Sequence, residues 1–266
     1  MFGKAATFFG RTVLTLLLLA GAVRAETNLQ TLATADQSRG WEAVGRLNFG
    51  ADGFCTAVLI TSDIVLTAAH CLYDRNTHAR VAPGEIEFQA GLRFARAEAY
   101  RGIRRIVVHP RYDIARAGEL DRIGYDLALL ELDRPIRNGD IMPFRTQIRV
   151  REGQDVQVVS YAKDRADAPS REGDCAVLTR DADVLVLSCS VDFGSSGAPV
   201  FAEYDGEMRI VSVISAKANW GSRRVALAAV MEGELERLID EFAQTPAYSP
   251  VGKVIRPVQV QPTATD

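Results

Sequence analysis

The sequence predicts an all-β fold closed by a late helix, on three observations. Short apolar runs recur along the chain between turn signals, at 56–60, 64–68, 126–132, 156–161, 176–179, 184–188, 208–216 and 225–231. Little helical periodicity intervenes, the pattern of a β sandwich or barrel. Asp205-Gly206, set between Pro199-Val200-Phe201 and Met208-Arg209-Ile210-Val211, is a two-residue hairpin turn. The one convincing amphipathic helix comes near the C-terminus, where Leu235, Leu238, Ile239 and Phe242 fall on one face between Glu and Arg residues.

The chain opens with Lys4 and Arg11, an apolar run from Val13 to Val23 and a small residue at Ala25. This reads as a secretory signal peptide over 1–25, cut before Glu26. The run is shorter than the ~20 apolar residues that span a bilayer, so no membrane association is expected after removal. Residues 26–40 form an N-terminal segment and a candidate pro-segment. About 220 residues of body follow, enough for one large domain or two small ones. Residues 246–266 form a Pro-containing tail, read as a flexible end with a strand laid on the body as the alternative.

With 266 residues, 47% hydrophobic and 24% charged, the composition excludes disorder, collagen and coiled coil. The net charge is −3 and becomes more negative when Lys4, Arg11 and Arg24 leave with the signal, which argues against a nucleic-acid binder. Export favours two disulfides over a metal site for the four cysteines, with the pairing open at this point. Only three histidines are present, so metal ligands are few. No cofactor is implied, and no EF-hand spacing for calcium is found.

Chemistry begins at Leu66-Thr67-Ala68-Ala69-His70-Cys71, where an apolar strand ends in small residues that let a histidine stand beside a cleft. In Gly194-Ser195-Ser196-Gly197-Ala198-Pro199 a serine is enclosed by glycines in a tight turn. Asp126 heads the run Asp126-Leu127-Ala128-Leu129-Leu130-Glu131-Leu132, and an aspartate at the mouth of a buried strand is costly unless paired. Each feature alone has a bland reading: a structural histidine, a turn, a capping aspartate. His78 and His109 read as structural or surface residues, and Asp113, Asp121, Asp133 and Asp140 head no apolar strand.

Taken together, in the order His70, Asp126, Ser196, these segments resemble the TAAHC, DLALL and GxSGxP motifs of the chymotrypsin-fold (trypsin-like) serine peptidases. The likeness runs from Trp41 to Phe242. An α/β-hydrolase needs the order Ser, Asp, His and a glycine where Ala198 stands, so order and motif both exclude it. The resemblance implies two packed antiparallel six-stranded β-barrels, about 41–140 and 141–245, with a C-terminal helix. It implies a secreted endopeptidase, extracellular or periplasmic, acting as a monomer on polypeptides. Ser196 would be the nucleophile, His70 the base, and Asp126 the group that orients the imidazole. The N–H groups of Gly194 and Ser196 would form the oxyanion hole. Ser215 matches the family's serine beside the triad aspartate. The separation of 16 between Cys55 and Cys71 is the family's spacing for the bridge beside its histidine, which leaves Cys175 to pair with Cys189. A catalytically silent binding module on the same fold, or an esterase using the same triad, are the competing readings.

Two departures from the animal digestive pattern matter. Ser195 stands where those enzymes carry an aspartate that pairs with a newly cut N-terminus, so that switch is absent. Together with Ala43-Val44-Gly45-Arg46-Leu47 this is similar to the bacterial branch related to glutamyl endopeptidases, and it implies activity once the signal is removed. The specificity pocket would have Ser190 at its base, with walls from Val191 to Phe193 and from Ile214 through Ser215 to Lys217. Ser190 is not acidic, and Val191 and Ile214 replace the hydroxyl and histidine of glutamyl-specific relatives. The pocket therefore reads as one for small or medium uncharged side chains, with Lys217 either recruiting an acid or facing solvent.

Overall fold

A computed structural model of the chain describes residues 29–50, 53–116, 120–147 and 149–246. The signal peptide and all of the tail but Pro246 lie outside them. Along the chain come β1 (Leu29–Thr31), α1 (Ala35–Ser38), β2 (Val44–Asn48), β3 (Phe54–Leu59), β4 (Ile64–Thr67), β5 (Glu87–Ala90) and β6 (Ala99–Val108). Then follow α2 (Leu120–Gly124), β7 (Ala128–Leu132), β8 (Asp155–Ala162), β9 (Arg165–Asp181), β10 (Val184–Leu187) and β11 (Pro199–Tyr204). The last are β12 (Glu207–Trp220), β13 (Arg223–Val230) and α3 (Glu234–Gln244).

Strands β2-β3-β4-β7-β6-β5 close into a barrel. Its interior is filled by apolar side chains such as Leu47, Val58, Leu66, Phe88 and Leu130, all fully buried. The second sheet has the order β1-β9-β10-β13-β12-β11-β8, and β8 pairs again with β9. Strands β8 to β13 thus form a second ring, as the sequence leads one to expect. Cys55–Cys71 and Cys175–Cys189 are both bonded. Closing loops of such length contributes roughly 3 kcal/mol each in the chain-entropy picture.

The turn at Asp205-Gly206 forms as read. Tyr204 pairs with Glu207, and both central residues have positive φ (53° and 77°), the backbone twist that two-residue hairpins require. β5 and β6 have no counterpart among the apolar runs of the sequence. β6 buries only every fourth residue or so and turns Arg101, Arg104 and Arg105 away from the core, so its strand character is diluted by charge. Helix α3 buries Leu235 and Leu238 and packs Phe242 against the first barrel. Ile239, expected on the same face, is 46% exposed, because it lies at the margin of a narrow stripe.

Strand β1 adds a seventh member to the second sheet. Leu29 pairs with Glu172 and Thr31 with Ser170, and the next residue, Leu32, donates its N–H to the Pro169 carbonyl at 2.8 Å. Its side chain is 2% exposed and belongs to the main core cluster. A capping box between Thr34 and Gln37 then starts α1. Residues 29–38 are therefore held by sheet, core and cap together.

His109, at the end of β6, is 1% exposed and stacks on Tyr125 with ring centroids 5.4 Å apart. The Arg111 N–H points at its Nδ1, 3.3 Å away, so the ring proton sits on Nε2, 3.0 Å from Glu234 in the first turn of α3. Loss of hydration, helped by the charges of Arg111 and Arg237, pulls the imidazole down to about 4, outweighing the opposing charge of Asp183.

Two outcomes follow from this packing. Leu32→Ala lowers unfolding free energy by about 2–5 kcal/mol, measured by urea denaturation, because it opens a cavity in a shared core. An unfolded chain protonates His109 near its ordinary value of 6.5, whereas the folded one does so near 4. Stability is therefore lost as the pH is lowered from 6.5 toward 4, by up to about 3 kcal/mol for this group. The difference in urea midpoint between the native chain and His109→Gln, followed from pH 7 to 4.5, reads that slope.

Candidate active site

The first barrel supplies an acid and an imidazole. β4 runs into a single tight turn at Ala69–Leu72, with Ala68 and Ala69 fully buried, so the backbone lies close to the barrel wall and His70 is carried to its rim. The His70 N–H donates to Asp126 Oδ1 at 2.8 Å, and ring Nδ1 lies 2.6 Å from Oδ2. Ser215 Oγ, from β12 of the second sheet, donates to the same Oδ2. Asp126 is 1% exposed, a burial that is tolerable only because three donors face its carboxylate. Burial alone would push this carboxyl up. The charge and hydrogen bonds of His70 and the Ser215 hydroxyl outweigh it and hold the group below its usual value.

The second sheet supplies a serine in a turn at 194–197. Both bounding glycines have positive φ, 95° at Gly194 and 78° at Gly197. A Cβ on Gly197 would stand 2.1 Å from Thr67 Oγ1 and 2.3 Å from the Thr56 carbonyl oxygen, so only glycine lets the barrels approach this closely. Thr56, on β3, holds the turn. Its N–H donates to the Ser196 carbonyl at 2.9 Å, and its hydroxyl donates to the Gly194 carbonyl at 2.9 Å and accepts from Tyr161 N–H at 3.0 Å. Thr67 Oγ1 donates in turn to the Thr56 carbonyl at 2.8 Å. On the other side, Gly197 N–H donates to Ile214 at 2.8 Å, tying the turn to β12.

The Phe193 carbonyl accepts from Lys163 N–H at 2.7 Å. Carbonyl and N–H point opposite ways across one peptide unit, so the Gly194 N–H is directed away from Lys163. Among the described residues neither the Gly194 nor the Ser196 N–H has an acceptor of its own. Ser195 is 1% exposed, donates from Oγ to Ser160 Oγ at 3.1 Å and from its N–H to Asp192 at 2.9 Å. A hydroxyl pair thus holds the turn that a charged aspartate holds in the digestive pattern. The structure joins His70, Asp126 and Ser215 directly. Ser196 stands in the turn of the second sheet, and among the described residues no hydrogen bond joins its Oγ to His70, whose Nε2 lies 4.0 Å from Cys71 Sγ.

Around the expected pocket, Ser190 is exposed, Val191 half-buried and Phe193 55% exposed. Ile214 is 1% exposed and packs into the core of the second sheet, and its backbone is taken as well, its N–H by the Ala198 carbonyl at 2.9 Å and its carbonyl by the Gly197 N–H, so it offers nothing to a ligand. Lys217 recruits an acid of its own chain, with Nζ 2.8 Å from Asp192 and 4.3 Å from the Phe193 ring centre. This pair bridges the two walls of the pocket. Sequence reasoning missed Glu172, whose two carboxylate oxygens accept the Ser190 N–H at 2.9 and 2.8 Å. Burial pushes its carboxyl up, against the Ser190 N–H and Arg165. The signal was present in alternation: Ser170 and Glu172 share the buried side of β9, with Arg171 between them less so.

A model of the trypsin family matches residues 32–221. Venom serine protease 34 of Apis mellifera is 31% identical over 113 residues, 40% of this chain and 27% of that protein. Serine protease filzig of Drosophila melanogaster is 37% identical over 83 residues, 31% of this chain and 4% of that protein. Trypsin iota of the same fly is 29% identical over 132 residues, 48% and 47% of the two chains. The chain thus spans less than half the length of these relatives. A solved Glu endopeptidase superposes with a TM-score of 0.68 at 19% identity, covering 83% of this chain and 99% of that one, a likeness of fold.

Thr56→Val keeps the shape of the seam and removes its hydroxyl, leaving the Gly194 carbonyl and Tyr161 N–H unpaired where no water reaches. A loss of about 2–4 kcal/mol is expected in urea denaturation.

Proposed function

The chain belongs to the trypsin family, and from that premise we propose that it is a secreted serine endopeptidase acting through an acyl-enzyme. The observation that carries the proposal is the buried Asp126 carboxylate bonded to His70 and Ser215 beside a turn whose Gly194 and Ser196 N–H groups have no acceptor among the described residues.

Ser196 Oγ attacks the scissile carbonyl as His70 Nε2 takes its proton, and Asp126 holds the imidazole with its proton on Nδ1 and stabilises the imidazolium. The Gly194 and Ser196 N–H groups receive the oxyanion, a contribution of about 3 kcal/mol per donor in enzymes of this kind. His70 then returns the proton to the leaving amine, and water cleaves the ester by the same route. Residues 41–245 would be the catalytic unit, acting as a monomer, with 1–25 as its signal peptide. Two disulfides fit an oxidising compartment. Among the described residues no helix is long and apolar enough to cross a membrane. Asp192 and Lys217 neutralise each other at the pocket mouth, which supports a small or medium uncharged side chain before the scissile bond. A cleavage profile dominated by Arg or Lys there would contradict that specificity. The missing Ser196–His70 hydrogen bond is the observation that favours a catalytically silent module, although such bonds often tighten only with substrate in place.

Mass spectrometry after treatment with a fluorophosphonate decides between the two. The expected result is one adduct on Ser196 in the chain beginning at Glu26, without further trimming, abolished by Ser196→Ala and by His70→Ala. No adduct on the folded, disulfide-intact protein overturns the enzyme reading, and an adduct that appears only after cleavage within 26–40 overturns constitutive activity. Among active variants, Asp126→Asn should lose ~10⁴-fold in kcat, because the amide presents the wrong tautomer partner to His70.

A further inference from the structure

A cleft of about 810 Å³ opens beside the candidate site, and it is not the pocket between 190–193 and 214–217. His70, Gly194 and the Cys55–Cys71 bridge border it on the side of the first barrel. Since His70 must stand next to the leaving nitrogen to return its proton, a cleft that shares His70 and lies away from β12 is where the leaving half of a substrate sits. Phe49, Phe54, Tyr73 and Phe193 give it aromatic walls.

Its charge is uneven in a usable way. Among the described residues two acids line its wall, and both are turned onto their own loops. Asp74 accepts the Asn76 N–H at 2.9 Å and the Thr77 N–H at 2.7 Å, and Glu85 accepts the Ala82 N–H at 3.1 Å. Of the three Arg and Lys residues among the described lining, Arg80 is committed to the Ile106 carbonyl at 3.1 Å. Arg75 and Lys163 have no carboxylate partner among the described residues, and both converge on the residue next to the oxyanion turn. The Arg75 guanidinium lies 5.8 Å from the Phe193 ring centre, and Lys163 holds the Phe193 carbonyl through its backbone, leaving its ammonium exposed.

We infer that this cleft selects an acidic residue at the first or second position after the scissile bond, with Arg75 and Lys163 as the specificity-determining groups. The inference rests on the endopeptidase reading. An incoming carboxylate would meet two cations whose charge is not already neutralised by the chain, over aromatic walls that exclude part of the solvent, whereas a lysine or arginine there would meet like charge.

The test is cleavage of a peptide library by the mature protein, read by mass spectrometry, followed by kcat/KM on matched quenched peptides that differ only after the cut. Asp or Glu should exceed Lys or Arg by about tenfold at one of the two positions at low ionic strength, narrowing toward parity in ~1 M salt, where charges are screened within about 3 Å. In the double variant Arg75→Glu/Lys163→Glu the order should invert, with peptides carrying Lys after the cut now preferred. A protein that labels on Ser196 and cleaves, yet shows no preference by charge or one for aromatic residues after the cut, overturns this inference and leaves the endopeptidase reading standing. A protein that neither labels nor cleaves overturns both.

Discussion

The proposed base on one barrel and the proposed nucleophile on the other can work together only if the seam between them is fixed to a fraction of an ångström. Here that seam is held by Thr56. Its backbone is a rung of β3, its hydroxyl reaches two backbone groups of the second sheet, and its N–H holds the carbonyl of Ser196. Gly197 makes the close approach sterically allowed, and the Cys55–Cys71 bridge, one residue from Thr56 and one from His70, ties the strand and the turn to the same point. The polar groups in the seam satisfy one another, so no water is needed there and none of the geometry is left to flexible side chains.

Asp126 extends this logic across the interface. Its two oxygens are bonded by groups from both halves of the fold, His70 from the turn after β4 and Ser215 from β12. A carboxylate so deeply buried is stable only while both barrels are docked, so the ionised group reports on the assembled site and also helps to assemble it. The same economy appears at Ser195, where neutral hydroxyls replace an ion pair that would need a free chain terminus to complete it.

How much was legible in the sequence follows from how local each signal is. Asp205-Gly206 announces its hairpin because two positive φ angles suit few other residue pairs. The histidine, aspartate and serine segments are legible because small residues and glycines must surround them wherever strands meet so closely. β1 was not legible: three residues that pair with the middle of β9 carry no pattern of their own. β6 was hidden by its arginines. Glu172 was invisible because its role depends on Ser190, eighteen positions away in sequence and brought near only by the β9–β10 hairpin. Lys217 was read with two outcomes, and only the fold could place Asp192 opposite it.

The order in which the chain can finish its two halves is set by α3. Arg105 on β6 stacks over Phe242 at 3.7 Å and donates to the carbonyls of Phe242 and Thr245, across separations of 137 and 140 residues. Leu235 and Leu238 cover the same barrel, which belongs to the first half of the sequence. The half that is synthesised first is therefore the half that is completed last. Until the final helix emerges, a nascent chain carries an uncovered apolar face and contacts of long sequence separation still to be made, which slows folding. Were the chain exported as proposed, late completion would be an advantage, since it would keep the chain translocatable until its last residues had been made.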